Sequence, residues 1–309
     1  MESRNFTFKA VDETEISVYR WQPDDKNKIK AVIQVVHGMG DNAGRYKEFA
    51  ENLVKEGFAV YADDHRGHGK TVDSPENLGH FADKNGWALV IEDLHKLADI
   101  IKKENPRKKI FMFGHSMGSF LVRDYTISYG NEINGIILSG TGTIPSLMGN
   151  LGIMLARWEI KSKGVRGKSP LLLAMTFGSY NKHFKPNRTP ADWITRDNNK
   201  LDQALANPYW IEEFSSTFFF DLLSGLRKIS IFKNIQKTPK DLPIYLLSGT
   251  KDPVGNFTKG VLKVFNDYKK AGIKDLNYKF YNGARHEIIN EINNEEVYRD
   301  IITWLNDHL

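Results

Sequence analysis

Hydrophobic and polar positions change period along the chain, and those changes divide it into elements. Phe6, Phe8 and Ala10 alternate with other residues, as do Ile16 and Val18 before Tyr19-Arg20-Trp21. An acidic turn separates the two runs, so the N-terminus predicts an antiparallel hairpin. Ala31-Val32-Ile33-Gln34-Val35-Val36 is nearly unbroken and β-branched, the pattern of a strand buried on both faces. From Arg45 to Glu56, Tyr46, Phe49, Ala50 and Leu53 recur at helical spacing, and Gly57 stops that helix.

The rhythm then repeats. Phe58 to Ala62, Lys109 to Phe113 and Gly135 to Leu138 read as strands, with helices at Trp87 to Lys103 and Ser119 to Tyr129 between them. Further on, Pro243 to Leu247 and Leu276 to Tyr281 read as strands, and Phe257 to Ala271 and Glu295 to Leu309 as helices. Strands alternating with helices predict an α/β fold whose mostly parallel sheet is covered on both faces. Residues 143–228 break the rhythm with apolar helical pieces at Leu147 to Trp158, Pro170 to Phe177 and Ile211 to Leu226. The stretch from Ala191 to Ala206 between them is more polar. Large insertions of this kind are commonly functional. The expected organisation is therefore a core of residues 1–142 and 229–309 carrying a helical lid at 143–228.

Composition narrows the chemistry. The 309 residues include no cysteine, which excludes disulfides, thiolate metal sites and cysteine nucleophiles and suits a reducing compartment. The N-terminus leads into strand-like alternation rather than an apolar signal segment, so the cytoplasm is the default location. The net charge is +5. Basic residues cluster at Arg107-Lys108-Lys109 and from Lys161 to Lys168, without the interleaved aromatics or the module of a nucleic-acid binder. Solvated surface lysine is the plain reading, and weak attraction of Lys161 to Lys168 to anionic lipid is the functional one.

Gly114-His115-Ser116-Met117-Gly118 lies directly behind one predicted strand and directly before one predicted helix. A Gly-x-Ser-x-Gly in that setting predicts a tight turn that lifts the serine hydroxyl into a cleft. Serine needs a base, and in such folds the acid and then the histidine follow it in the chain. Three histidines follow: His183 in the insertion, His308 at the end of the closing helix, and His286 in a loop after a strand. Only the last stands at the carboxyl edge of the sheet, where ligand sites of open α/β sheets gather. By the same argument Asp252, after the strand Pro243 to Leu247, is the orienting acid. Asp241 and Asp275 precede their strands.

His37-Gly38-Met39-Gly40 follows the buried strand and offers a backbone turn for an oxyanion. The expected donors are the N–H groups of Met39 and Met117, with the His37 ring bracing the loop. Asp64-His65-Arg66-Gly67-His68-Gly69 invites a metal reading, but its glycines and arginine better fit a tight, salt-bridged loop. Gly79-His80-Phe81-Ala82-Asp83 either lines the cleft or caps the next helix.

With these residues placed, the chain resembles the monoglyceride lipase and lysophospholipase branch of the α/β-hydrolases. The matching segments are His37 to Gly40 with Gly44-Arg45-Tyr46, Asp64 to Gly69, Gly79 to Asp83 and the serine pentapeptide. Gly249-x-x-Asp252-Pro253 and Gly283-Ala284-Arg285-His286-Glu287 match as well, and Asp192 to Asp197 resembles bacterial members. The resemblance implies an eight-stranded sheet, a cap over an apolar acyl tunnel, an ester substrate and activity without cofactor. Two departures stand out: Ser119 where relatives often carry glycine, and Asp41-Asn42 where Glu-His is common. Met148, Leu151, Ile153, Met154, Leu155, Phe214 and Phe218-Phe219-Phe220 are candidates for lining the tunnel.

The expected function is thus a serine carboxylester hydrolase on a single-chain lipid ester, monoacylglycerol or lysophospholipid, touching membrane surfaces transiently through the cap. Ser116, Asp252 and His286 carry the chemistry. A short-chain esterase or serine aminopeptidase is the alternative, the latter wanting a cap acid such as Glu212 or Glu213. A ligand-binding homologue without catalysis is the alternative of another class.

Overall fold

The computed structural model describes residues 1–309. Eight strands form one sheet: β1 (Glu2–Lys9), β2 (Glu15–Gln22), β3 (Ala31–Val36), β4 (Phe58–Asp63), β5 (Lys109–His115), β6 (Gly135–Ser139), β7 (Ile244–Gly249) and β8 (Leu276–Tyr281). Their order is β1-β2-β4-β3-β5-β6-β7-β8. The predicted hairpin pairs β1 with β2 antiparallel, and β2 also meets β4 antiparallel. All strands from β3 onward run parallel. Their carboxyl ends therefore share one edge, and every candidate site residue outside the insertion follows one of those ends.

Ten helices complete the chain: α1 (Lys47–Lys55), α2 (Gly86–Glu104), α3 (Met117–Tyr129), α4 (Ser146–Lys163), α5 (Pro170–Phe177), α6 (Asn198–Leu205), α7 (Ser216–Ser230), α8 (Phe232–Ile235), α9 (Lys259–Ala271) and α10 (Asn294–Asp307). The sheet splits the core in two. Along β3, Val32 and Val36 pack with α2, α3 and α9, whereas Ala31, Ile33 and Val35 pack with α1 and α10. Gln34 shares the first face and is buried there, its side-chain amide donating to Leu94 O at 3.0 Å. A strand with both faces covered has no solvent side, which is why β3 lacks alternation.

Helices α4 to α7 lie between β6 and β7. The expected helix Ile211 to Leu226 begins later, at Ser216, because Ser215 caps it by accepting from Phe218 N at 3.0 Å. Ser215 N also donates to Gly79 O at 2.9 Å, with its own backbone extended, which keeps it out of the helix. The polar stretch 191–206 becomes helical only from Asn198, where Asp197 accepts from Asn199 N and Lys200 N. Both starts are set by short polar caps that satisfy amides a helix leaves open.

Candidate active site

Ser116 ends the turn between β5 and α3 with φ 53° and ψ −122°. A non-glycine residue at such angles is strained by roughly 1–3 kcal/mol and persists only where its surroundings hold it. The two glycines make the turn possible. A Cβ on Gly114 would stand 2.6 Å from Gly118 O, and one on Gly118 would stand 2.0 Å from Val36 O. Ser119, the residue that departs from glycine, fits: its hydroxyl donates to Ser116 O at 2.6 Å. That bond ties the first turn of α3 to the strained residue.

Asp252 and His286 come together from loops after β7 and β8. Asp252 is fully buried, and its Oδ1 lies 2.9 Å from His286 Nδ1. The carboxylate also accepts from Val254 N at 2.9 Å and Ser248 Oγ at 3.3 Å. With Nδ1 donating to Asp252, His286 presents Nε2 to the cavity that Ser116 also lines. The His115 ring lies 4.7 Å from that of His286, and the Trp193 ring lies 5.2 Å from it on another side.

The loop His37 to Gly40 is braced from beneath by histidines. His37 Nδ1 donates to Gly38 O at 2.8 Å, and its Nε2 accepts from His65 N at 3.0 Å. Burial and the neighbouring His65 and His68 hold His37 well below the usual imidazole range. His68 accepts from Gly40 N at 3.2 Å through Nε2 and donates from Nδ1 to Arg66 O at 2.9 Å. Burial pushes it down to about 3. His65 goes the other way. Burial opposes its charge, but Asp63 at 2.7 Å outweighs it and raises the imidazole. Its Nε2 also faces His37 O at 3.3 Å, so both nitrogens point at acceptors.

This stack spends its ring nitrogens on the protein itself, which answers the metal reading of the Asp64 to Gly69 loop. The rest of that loop is salt-bridged as expected: Arg66 pairs with Asp93 and Asp12 at 2.6 Å each. Asp64 accepts from Ala43 N and Lys70 N at 2.7 Å. One other group of possible ligands, His95, Asp99 and Glu132, lies near the surface. Lys102 pairs with both of its acids, a bland ion-pair cluster.

Met39 N–H finds no acceptor in the chain, and Met117 N–H, at the first position of α3, is one of the amides a helix leaves open. Ser116, Met39 and His286 all line one cavity of about 290 Å³. Its apolar wall differs from the expected one. Of the candidates, only Phe214 lines it, joined by Leu173, Phe177, Trp193, Ile194, Trp210 and Ile211. Phe218 and Phe219 are buried in the core instead, while Met148, Leu151 and Met154 are exposed. Helical spacing alone does not say which face of an inserted helix turns inward.

Sequence reasoning also passed over a charged cluster on the cavity wall. Arg45 forks onto Glu287 at 2.9 and 2.7 Å and bonds Asp41 at 2.8 Å. Tyr46 O–H donates to the other oxygen of Asp41 at 2.8 Å. Burial opposes the charge on Glu287, yet Arg45 holds its carboxyl down to about 2. The signal was the unusual Asp41 beside Gly44-Arg45-Tyr46. His80 donates from Nε2 to Asp83 at 3.0 Å and accepts at Nδ1 from the Ser215 hydroxyl at 2.8 Å, so its segment fastens the start of α7 rather than lining the cavity. His183 packs on Phe257, and His308 bonds Trp304 O and Asp275. Neither reaches Ser116. Glu212 lines the cavity; Glu213 does not.

A family model described as serine aminopeptidase, S33, matches residues 27–293, which spans every element of this site. The chain belongs to the serine aminopeptidase S33 family. Among its relatives, the monoacylglycerol lipase of Mycolicibacterium smegmatis is 26% identical over 305 residues, covering 98% of this chain and 97% of its own. The monoglyceride lipase of Rattus norvegicus is 23% identical over 293 residues, covering 94% and 86%. The crystal structure of a thermostable carboxyl esterase from Bacillus coagulans, in complex with glycerol, superposes with a TM-score of 0.92 at 29% identity, covering 100% of this chain and 99% of that one. The fold is that of the α/β-hydrolases, in their monoglyceride lipase-like branch.

Proposed function

We propose that the protein is a serine hydrolase of carboxylic esters whose substrate is a single-chain lipid ester, a monoacylglycerol or a lysophospholipid. The observation that carries this reading is the 2.9 Å contact of His286 Nδ1 with Asp252, on a cavity shared with Ser116 and walled by Leu173, Phe177 and Phe214. Relatives named as monoacylglycerol lipases over nearly the full length support the substrate class.

In this mechanism Ser116 Oγ attacks the ester carbonyl carbon while His286 Nε2 takes its proton. Asp252 holds the tautomer and stabilises the imidazolium without accepting the proton. The carbonyl oxygen becomes an oxyanion and receives the free N–H groups of Met39 and Met117, each worth roughly 3–4 kcal/mol in the transition state. His286 then passes the proton to the leaving alcohol, and an acyl-Ser116 remains. Water then attacks the acyl carbonyl carbon as His286 Nε2 takes its proton, and as the bond to Ser116 Oγ breaks His286 returns that proton to the serine, releasing the fatty acid and restoring the enzyme.

Residues 143–228 act as the cap in this reading. Leu147, Met148, Leu151, Met154 and Trp158 lie along one side of α4, and Leu171 and Met175 of α5 are exposed with them. An apolar stripe followed on the same helix by the exposed Lys161 suits brief contact with an anionic lipid surface, from the cytoplasmic side. No helix is long and apolar enough to cross a membrane. Glu212 on the cavity wall favours a second reading, release of an N-terminal residue whose ammonium it would pair.

A fluorophosphonate probe tests the chemistry: wild type is labelled, Ser116→Ala folds and is not. Persistent labelling of the variant overturns the assignment. Turnover of long-chain monoacylglycerol against amino-acid anilides separates the two substrate readings.

A further inference from the structure

The loop that carries His286 leaves the sheet after β8. Up to Ala284 it is held by the core, with Gly283 N donating to Thr250 Oγ1 at 2.8 Å and Lys251 N to Ala284 O at 2.9 Å. The next three amides are held differently. Arg285 N donates to Glu291 Oε1 at 2.7 Å. His286 N donates to Trp193 O at 3.4 Å, and Glu287 N to Ile194 O at 2.8 Å. Two of the three acceptors thus belong to the helical insertion, and the third is a carboxylate that the insertion also grips.

Arg196 makes that grip. Its N and Nε donate to the two oxygens of Glu291 at 3.2 and 2.8 Å, and Nη2 donates to Asn293 Oδ1 at 2.8 Å. The Glu291 side chain is fully buried and Arg196 only partly exposed. Thr195 Oγ1 adds a bond to Asn290 O at 2.8 Å. In the opposite direction, Arg285 Nη1 donates to the carbonyls of Asp192 and Thr195. The Trp193 ring meanwhile packs near the imidazole itself.

We infer that Arg196, acting through Glu291, is a positioning residue for His286, and that the stretch 192–197 belongs to the catalytic scaffold rather than to the part of the cap that moves. The inference rests on His286 being the general base proposed above. Asp252 fixes Nδ1 alone, so the direction of Nε2 toward Ser116 depends on where the backbone of residues 285–287 lies. Without Arg196 the buried Glu291 carboxylate loses its counter-charge, the costly half of a broken buried pair. It then moves, and the amide of Arg285 loses its fixed acceptor. Opening for substrate is left to α4 and α5, whose outer faces are apolar and exposed.

The test compares wild type with Arg196→Met and Arg196→Lys on a soluble short-chain ester, and records the low-field proton resonance of His286 Nδ1–H. In Arg196→Met, kcat falls about 10- to 100-fold, the cost of a small misplacement far from the reacting atoms, while KM stays near wild type. The pH profile of kcat shifts and the low-field resonance moves or broadens. Arg196→Lys recovers part of both. Wild-type kcat together with an unchanged resonance in Arg196→Met overturns the inference, as does a loss confined to KM or to thermal stability. If Arg196→Met does not fold, Glu291→Gln carries the same expectations and the same refutation. Failure of wild type to hydrolyse esters or label at Ser116 sinks the functional reading, and the resonance arm then decides the positioning role by itself.

Discussion

Gly140 stands directly against His286: a Cβ at position 140 would lie 2.8 Å from Cε1 and 3.0 Å from Nδ1 of the imidazole. Gly140 also has φ +61°, which a side chain tolerates poorly. Alanine here therefore pushes the ring away from Asp252. The expected outcome for Gly140→Ala is a loss of about 100-fold in kcat with the fold retained. Steady-state kinetics beside circular dichroism checks it, and near-normal turnover would contradict the placement of the imidazole.

The short contact from Asp252 to His286 carries its own expectation. Asp252→Asn keeps the shape but offers an amide where Nδ1–H needs an acceptor, favouring the wrong tautomer. A decline of about 10⁴-fold in kcat is expected, on the pattern of other triads. Activity within tenfold of wild type would mean that another group orients the base, a ratio to be read against the mechanism in the same way.

In the proposed reading the wall of the 290 Å³ cavity sets the acyl-chain length. Leu173→Trp fills part of it and should move the preferred ester toward shorter chains. Met148→Ala and Leu151→Ala, on the exposed side of α4, should leave the preference alone. A chain-length series on the three variants reads this directly; a shift in the α4 variants alone would reverse the assignment of inner and outer faces.

Acid should destabilise the protein early. Burial pushes His68 and His115 down to about 3 from an ordinary value of 6.5. Between those values the unfolded chain binds protons that the folded chain refuses, so stability falls as pH drops through that window. Each such group contributes a slope of about 1.4 kcal/mol per pH unit. His65 has the opposite sign: raised by Asp63 against its burial, it stabilises fully below 6.5 and less as pH rises through its folded value. Urea unfolding from pH 7 to pH 4 measures the net slope, and His68→Gln should flatten it. A slope unchanged in that variant would show that His68 is protonated in the folded state.

The exposed apolar stripe of α4 yields a separable prediction. Trp158 and Met154 are each 63% exposed, and Leu147 is 72% exposed. Replacing Met154 and Trp158 by serine should weaken sedimentation with anionic vesicles while hydrolysis of a soluble short ester continues unchanged. Equal sedimentation of variant and wild type would remove the stripe from the membrane reading.

Much of this architecture was readable along the chain because it is local. The unbroken run Ala31 to Val36 and the later strand–helix alternation reflect burial periods that each segment carries within itself, and the structure keeps β3 and β8 at the predicted bounds. Gly114 and Gly118 are required by contacts inside one turn. The order Ser116, Asp252, His286 follows from which loops lie at the carboxyl edge of a parallel sheet, a consequence of topology that alternation already implies.

What the sequence could not decide were contacts between segments far apart in the chain. The fork from Arg45 to Glu287 joins residues 242 positions apart, and the bond from Arg196 to Glu291 joins residues 95 apart. No periodicity encodes such pairs, because each exists only once loops from different strands are packed together. The same holds for the insertion 143–228. Three of its pieces were legible as apolar and helical, yet which apolar residues line the cavity and which face solvent depends on their rotation against the core. Local pattern thus determined the elements and the sheet edge where the candidate residues gather, and tertiary packing alone decided the cavity wall, the histidine stack beneath Met39 and the bonds that hold the backbone of residues 285–287.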